Sequence, residues 1–179
     1  MGGSQGARAL NETVPLALGA LRQRVTPPLR AIHLAGRVEA EAVARRYSSL
    51  RVEAEVHAFL PEIWRAYAAA DFAVARAGAA TCAELAVAGV PALLIPYPHA
   101  ADDHQTANAM LLLHAGGVDV RQQVDLSCAW LVDYLAERLT ATDRLVAMRR
   151  ALAEVAVPDG DVRLARLVEQ AGGLEHADL

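Results

Sequence analysis

Two neighbouring stretches of this chain share one design: a short apolar run, a turn carrying polar residues, then a helical run. The first passes from 71–75 through Arg76-Ala77-Gly78-Ala79-Ala80 into a helix expected over 81–88, with Gly89 as its stop. The second passes from a strand expected over 92–95 through Pro96-Tyr97-Pro98-His99 into a helix over 103–115. Repeated strand–turn–helix units with strands this short and apolar demand a parallel sheet covered by helices on both faces. Such a sheet presents its ligand crevice at the carboxyl ends of the strands, where these polar turns fall.

The rest of the chain continues the alternation. Helices are expected over 7–21, 38–50, 62–70, 127–139, 142–155 and 161–171, and strands over 29–36, 52–60 and 117–122. Pro61 suits a first helical position, and Thr142 or Asp143 suits a cap. The expectation is one α/β domain over 1–171 with a Rossmann-like sheet, followed by a loose tail over 172–179. Gly2-Gly3-Ser4-Gln5-Gly6 is a glycine-rich turn of the kind that follows a buried strand, yet only Met1 stands before it. The first strand of the sheet is therefore expected to be missing.

Composition narrows the function classes. The formal net charge is −4, which argues against nucleic acid as a partner. All 17 basic residues are arginine, a bias expected of a GC-rich, bacterial genome. The longest apolar run, 86–97, is short and broken by Gly89, Pro91 and Pro96, so no membrane crossing is expected. Cys82 and Cys128 have no metal or redox spacing and read as reduced thiols of a cytosolic protein.

The polar residues at the turns suggest a ligand. Gly78, Ala79, Ala80 and Thr81 offer backbone N–H groups at a helix N-terminus, which suits a phosphate, and Arg76 stands beside them, its alternative being an exposed surface arginine. Ser4 and Gln5 could add side-chain hydrogen bonds to a pyrophosphate. Glu84 lies in an otherwise apolar helix, three residues after Thr81. It faces either solvent or a polar ligand such as sugar hydroxyls. Gln105 and Asn108 share a helix face, where amides can read the hydroxyls of a hexose. Phosphate, ribose and neutral sugar together describe a nucleotide-sugar. His99, Asp102, Asp103 and His104 lack zinc-ligand spacing, so no metal is expected, and Asp102 or Asp103 serves as a cap. His33, His57, His114 and His176 have no evident company. Arg144, Arg149, Arg150, Arg163 and Arg166 read as a solvated basic face.

Taken in order and spacing, Gly2-Gly3-Ser4-Gln5-Gly6-Ala7, Phe59-Leu60, Arg76-Ala77-Gly78-Ala79-Ala80-Thr81 with Glu84-Leu85, 89–96, and Asp103-His104-Gln105-Thr106-Ala107-Asn108-Ala109 resemble the C-terminal domain of the MurG family of glycosyltransferases. The resemblance spans nearly the whole chain. It implies the C-terminal half of a GT-B fold that binds the donor UDP-N-acetylglucosamine (UDP-GlcNAc) without a cofactor. It implies Phe59 and Leu60 at uracil, Glu84 at the ribose, and Ser4, Gln5 and the amides of Gly78 to Thr81 around the diphosphate and sugar. Gln105 and Asn108 would read the GlcNAc hydroxyls. The reaction implied is an inverting hexosyl transfer to lipid I, giving lipid II for peptidoglycan, on the cytoplasmic face of the inner membrane. The family's N-terminal domain, with its acceptor site, proposed catalytic histidine and membrane-docking patch, is expected to be absent. No catalytic residue is assigned in this chain, which is expected to be inactive alone. A stand-alone donor subunit with a membrane-bound partner, or a nucleotide-sugar binding module, is the alternative.

Overall fold

In the computed structural model the described residues are 7–171, apart from 23 and 27. The Gly2–Gly6 turn, with Ser4 and Gln5, and the tail over 172–179 lie outside them. Among the described residues, five strands alternate with the first six helices, and eight α-helices occur in all, in the order the periodicity predicts. The order is α1 (Arg8–Leu21), β1 (Arg30–Leu34), α2 (Ala40–Ser49), β2 (Glu53–His57), α3 (Ile63–Ala69), β3 (Ala73–Ala75), α4 (Ala79–Ala88), β4 (Ala92–Leu94), α5 (His104–Ala115), β5 (Val118–Val120), α6 (Cys128–Thr140), α7 (Thr142–Val155) and α8 (Gly160–Ala171).

All ladders are parallel. β1 pairs with β2, and β3, β4 and β5 form a second sheet in that order; no ladder joins the two sheets among the described residues. Helix α1 lies across this division. Its Leu10, Ala17 and Leu21 pack into a cluster with Leu93, Ile95, Leu131 and Leu135, while Leu18 also reaches the cluster of Ala35, Val43, Tyr47 and Val52. The strand β4 is the centre of the larger sheet, and Leu93, Leu94 and Ile95 are fully buried, as a strand covered on both faces must be. Ladder bonds continue past the strand ends, with the Ile95 amide donating to the Ala75 carbonyl (2.8 Å) and the Arg121 amide to Leu94 (3.0 Å). The carboxyl ends of β3, β4 and β5 therefore lie along one edge.

Helices α4 and α5 end alike. Gly89 and Gly116 take left-handed backbone (φ 64° and 85°), and the next residue's amide returns to a carbonyl five back, Val90 to Leu85 and Gly117 to Leu112. Gly117 has no room for a side chain: an added Cβ would stand 2.4 Å from Leu152 Cδ2, the side chain of a fully buried leucine.

Several element boundaries differ from the sequence reading by a residue or more, and four differences touch the site or a helix cap. Helix α4 begins at Ala79 rather than 81, because Gly78 takes the N-cap and alanine is a strong helix former. β2 ends at His57, so Phe59 and Leu60 lie in the connection to α3. Pro61 precedes the N-cap Glu62 instead of opening the helix. Helix α7 is capped by neither Thr142 nor Asp143, since its N-cap is Ala141 and both residues are already helical.

His33 is not without company. It is 6% exposed, and its Nε2 lies 2.8 Å from Asn11 Oδ1 and its Nδ1 2.9 Å from the Tyr47 hydroxyl. The Asn11 amide NH2 donates to the Ala35 carbonyl (2.9 Å) and to Glu39, which makes Oδ1 the acceptor. His33 must then carry its proton on Nε2 and accept from Tyr47 at Nδ1. This triad ties the second turn of α1 to the end of β1 and to α2. Burial lowers the His33 pKa to about 3. The unfolded chain takes up this proton near pH 6.5, so it binds more protons than the native state between that value and about 3. Stability is therefore full above pH 6.5 and is lost as pH falls. Moving from pH 7 to pH 5 is expected to cost roughly 2 kcal/mol through this group. Chemical denaturation across that range should show the loss, and His33→Gln should flatten the slope.

Candidate functional site

The site is built where β3 and β4 stop. A strand that ends inside a protein leaves backbone donors and acceptors needing partners. Here three side chains supply them. Arg76, at the end of β3, is 9% exposed. Its Nη1 donates to the carbonyls of Ile95 and Pro96, each at 3.1 Å, and its Nη2 donates to the Gln123 side-chain oxygen. Its guanidinium also lies 5.4 Å from the centre of the Tyr97 ring. The exposed surface arginine allowed by the sequence is thus replaced by a buried one whose hydrogen-bond partners are all uncharged. Burial draws its pKa down from the usual arginine value, yet a guanidinium remains protonated in proteins. A cation stands at the carboxyl end of the sheet with no carboxylate paired to it among the described residues.

Gln105 and Asn108, one turn apart on α5, close the next groups. Gln105 Oε1 accepts from the amides of Ala77 (3.2 Å) and Tyr97 (3.0 Å). Asn108 Nδ2 donates to the Ala77 carbonyl (3.1 Å). These partners fix the orientation of both side-chain amides. The Gln105 NH2 and the Asn108 carbonyl oxygen have no hydrogen bond among the described residues, so one donor and one acceptor remain available to a ligand.

Helix α4 starts beside them. Its N-cap is Gly78, with no side-chain cap, and the first helical hydrogen bond runs from the Cys82 amide to Gly78 (2.9 Å). The amides of Ala79, Ala80 and Thr81 thus precede the hydrogen-bonded ladder, at the positive end of the helix dipole. Ala79 and Ala80 are exposed, and a Cβ on Gly78 would meet only Thr81 Oγ1, at 3.9 Å. The helix start and the space above it suit an anion.

Glu84 lies on the second turn of α4, half-buried. Sequence reasoning offered it solvent or a ligand; the structure adds a protein partner. The Tyr67 hydroxyl of α3 donates to Glu84 Oε2 at 2.8 Å. The carboxylate borders a cavity of about 510 Å³ between α3 and α4, walled by Ile63, Trp64, Val87 and neighbouring alanines. Phe59, 60% exposed, and the partly buried Leu60 stand in the connection that leads into α3.

The remaining polar groups serve the fold. Cys82 is buried, and its thiol is pushed up to about 11, which makes it unreactive at neutral pH. Asp102 and Asp103 take left-handed backbone; Asp103 is the N-cap of α5, as expected, though its side chain accepts from Thr106 Oγ1 (2.6 Å) and not from a backbone amide. No cluster of metal-binding side chains occurs among the described residues. Part of the supposed basic face is paired: Arg149 meets Asp71 at 3.5 Å, Arg163 meets Asp159 at 2.9 Å, and Arg144 meets Asp119 at 3.8 Å. Sequence reading missed the Tyr134–Asp119–Arg138 cluster, in which Asp119 Oδ2 accepts from Tyr134 (2.7 Å) and Arg138 (2.9 Å). It joins β5 to α6, with Asp119 and Tyr134 fifteen positions apart.

The double acceptor role of Gln105 gives a sharp expectation. Gln105→Ala strands two backbone amides and is expected to cost about 1–3 kcal/mol. Gln105→Glu keeps an acceptor oxygen at the same place and is expected to cost less than about half of that. Paired urea unfolding curves check the difference.

The sequence and fold have known counterparts. The family model for the glycosyltransferase family 28 C-terminal domain matches residues 1–164. The UDP-N-acetylglucosamine–N-acetylmuramyl-(pentapeptide) pyrophosphoryl-undecaprenol N-acetylglucosamine transferase of Thiobacillus denitrificans is 46% identical over 171 residues, covering 94% of this chain and 45% of the relative. The transferase of the same name from Halorhodospira halophila is also 46% identical, covering 95% and 47%. The crystal structure of Acinetobacter baumannii MurG superposes with a TM-score of 0.84 at 34% identity, covering 95% of this chain and 48% of that one. A kitacinnamycin glycosyltransferase structure, 23% identical with a TM-score of 0.64, shares the fold. The chain spans about half the length of the relatives it matches. It belongs to the glycosyltransferase family 28 C-terminal domain family.

Proposed function

We propose that this chain is the donor-binding half of a hexosyltransferase that moves N-acetylglucosamine from UDP-GlcNAc to lipid I, in peptidoglycan synthesis. The observation that carries the reading is the convergence of complementary groups at one end of the sheet. The start of α4, the unpaired charge of Arg76, and Gln105 and Asn108 meet at the ends of β3 and β4, and the Glu84 carboxylate follows on the second turn of α4. The names of the relatives support the same donor and acceptor.

In this reading the diphosphate lies at the amides of Gly78, Ala79, Ala80 and Thr81, where the helix dipole favours it. Arg76 adds a positive potential from beneath, although its own N–H groups are spent on backbone carbonyls and Gln123. Its role is thus electrostatic and architectural. Glu84 accepts from the ribose hydroxyls, and Phe59 and Leu60 flank the uracil. Gln105 and Asn108 present a donor and an acceptor to the sugar. Ser4 and Gln5, outside the described residues, belong to the same diphosphate site. Transfer breaks the bond between the anomeric carbon and the UDP oxygen and forms one to the acceptor C4 oxygen, whose proton passes to a base. The positive groups around the diphosphate stabilise the charge that UDP gains as it leaves.

The acceptor, the base and any peripheral membrane contact belong, on this proposal, to the part of the relatives that this chain does not span. No helix among the described residues is long and apolar enough to cross a membrane. Holding an acceptor in attack geometry requires a second wall to the cleft. The 179-residue chain is therefore expected to bind donor without transferring it. His99 and His104, in or just after the loop that follows β4, lie on the donor side and are not expected to act as the base.

Calorimetry tests the reading. The chain is expected to bind UDP more tightly than ADP, and Glu84→Ala is expected to weaken UDP by roughly 1–3 kcal/mol with the fold intact. Equal affinity for the two nucleotides, or an unchanged UDP affinity in the variant, contradicts it.

A further inference from the structure

We infer that Tyr67 is a positioning residue: its hydroxyl holds the Glu84 carboxylate in the one orientation that leaves Oε1 open to a vicinal diol. The inference rests on the donor-site reading above and names a residue that reading does not use. Tyr67 lies on α3, seventeen positions from Glu84 in sequence, and is 6% exposed. Its ring packs in the core with Leu85, Val90 and Leu112. A buried phenol needs a hydrogen-bond partner, and the partner is Glu84 Oε2, at 2.8 Å. Burial and this bond both raise the Tyr67 pKa, so the hydroxyl keeps its proton and stays a donor.

The geometry divides the work of the carboxylate. Oε2 is engaged by Tyr67, and Oε1 has no hydrogen bond among the described residues. A glutamate on a helix surface samples several rotamers, and fixing one of them before a ligand arrives removes that cost from binding. Ile63 and Val87 on the walls around it offer no competing polar group. A carboxylate so held accepts from both hydroxyls of a diol more readily than a mobile one. Tyr67 itself touches no ligand in this scheme.

Tyr67→Phe keeps the buried ring and deletes only the hydroxyl. It is measured in the full 179-residue chain by calorimetry with UDP and with 2′,3′-dideoxy-UDP, beside Glu84→Ala and the double variant. The expected result is a loss of about three- to tenfold in UDP affinity, the scale of one ordinary net hydrogen bond. Affinity for the dideoxy nucleotide should be unchanged, and Tyr67→Phe should add nothing on the Glu84→Ala background. Equal losses for both nucleotides would show a role in the fold alone and overturn the inference. An unchanged UDP affinity in Tyr67→Phe, with Glu84→Ala weakened, also overturns it and leaves the donor site standing. No effect of Glu84→Ala, or no UDP binding by the unsubstituted chain, overturns the donor-site reading and this inference with it.

Discussion

The ends of β3 and β4 must be closed by side chains, and the rest of the site follows from that need. At this edge the Ala77 amide and carbonyl, the Ile95 and Pro96 carbonyls and the Tyr97 amide all need partners beyond the strand ladder. Arg76, Gln105 and Asn108 provide them. Each of these side chains has more hydrogen-bonding capacity than the backbone consumes, or a charge that nothing here neutralises. On the proposed reading, that surplus is what a ligand would meet. The groups that finish the sheet thus also furnish the surface on which a ligand would sit, and the rigidity of one is inherited by the other.

Helix α4 extends the same logic. It starts without a side-chain cap, so its first amides are left for something outside the helix. No acidic residue occupies its first turn, where one would otherwise satisfy the dipole. Glu84 sits on the following turn and is restrained by Tyr67, so negative charge is kept away from the helix start. Across the molecule, the Asn11–His33–Tyr47 triad performs a comparable closing task, fixing α1 against β1 and α2. A neutral histidine suits it because the ring can accept from one neighbour and donate to the other.

Much of this fold is legible in the sequence because strands and helices here are short, regular and separated by glycine or proline. Leu93-Leu94-Ile95 between Pro91 and Pro96 admits little but a buried strand, and Gly89 marks a helix end by conformation alone. Boundaries without such punctuation were less visible: Ala79-Ala80 reads equally as turn or helix, and β2 fades before Phe59. The residue types around the site were also legible, since amides, a carboxylate and glycines stand out against an alanine-rich background. Their partners were not. The burial of Arg76, the bond from Tyr67 to Glu84 and the backbone duties of Gln105 depend on which turns meet in space. His33 looked solitary for the same reason, its partners lying 22 and 14 positions away.

The central claim is that a nucleoside diphosphate lies on the first turn of α4, with its ribose at Glu84. Amide chemical shifts followed by nitrogen–proton correlation spectroscopy during a UDP titration test this most directly. The account predicts that the largest saturable shifts fall on Gly78, Ala79, Ala80, Thr81 and Glu84, with smaller ones at Phe59 and Leu60. Saturable shifts concentrated elsewhere, such as the Trp130–Tyr134 face of α6, with the start of α4 unmoved, would contradict it.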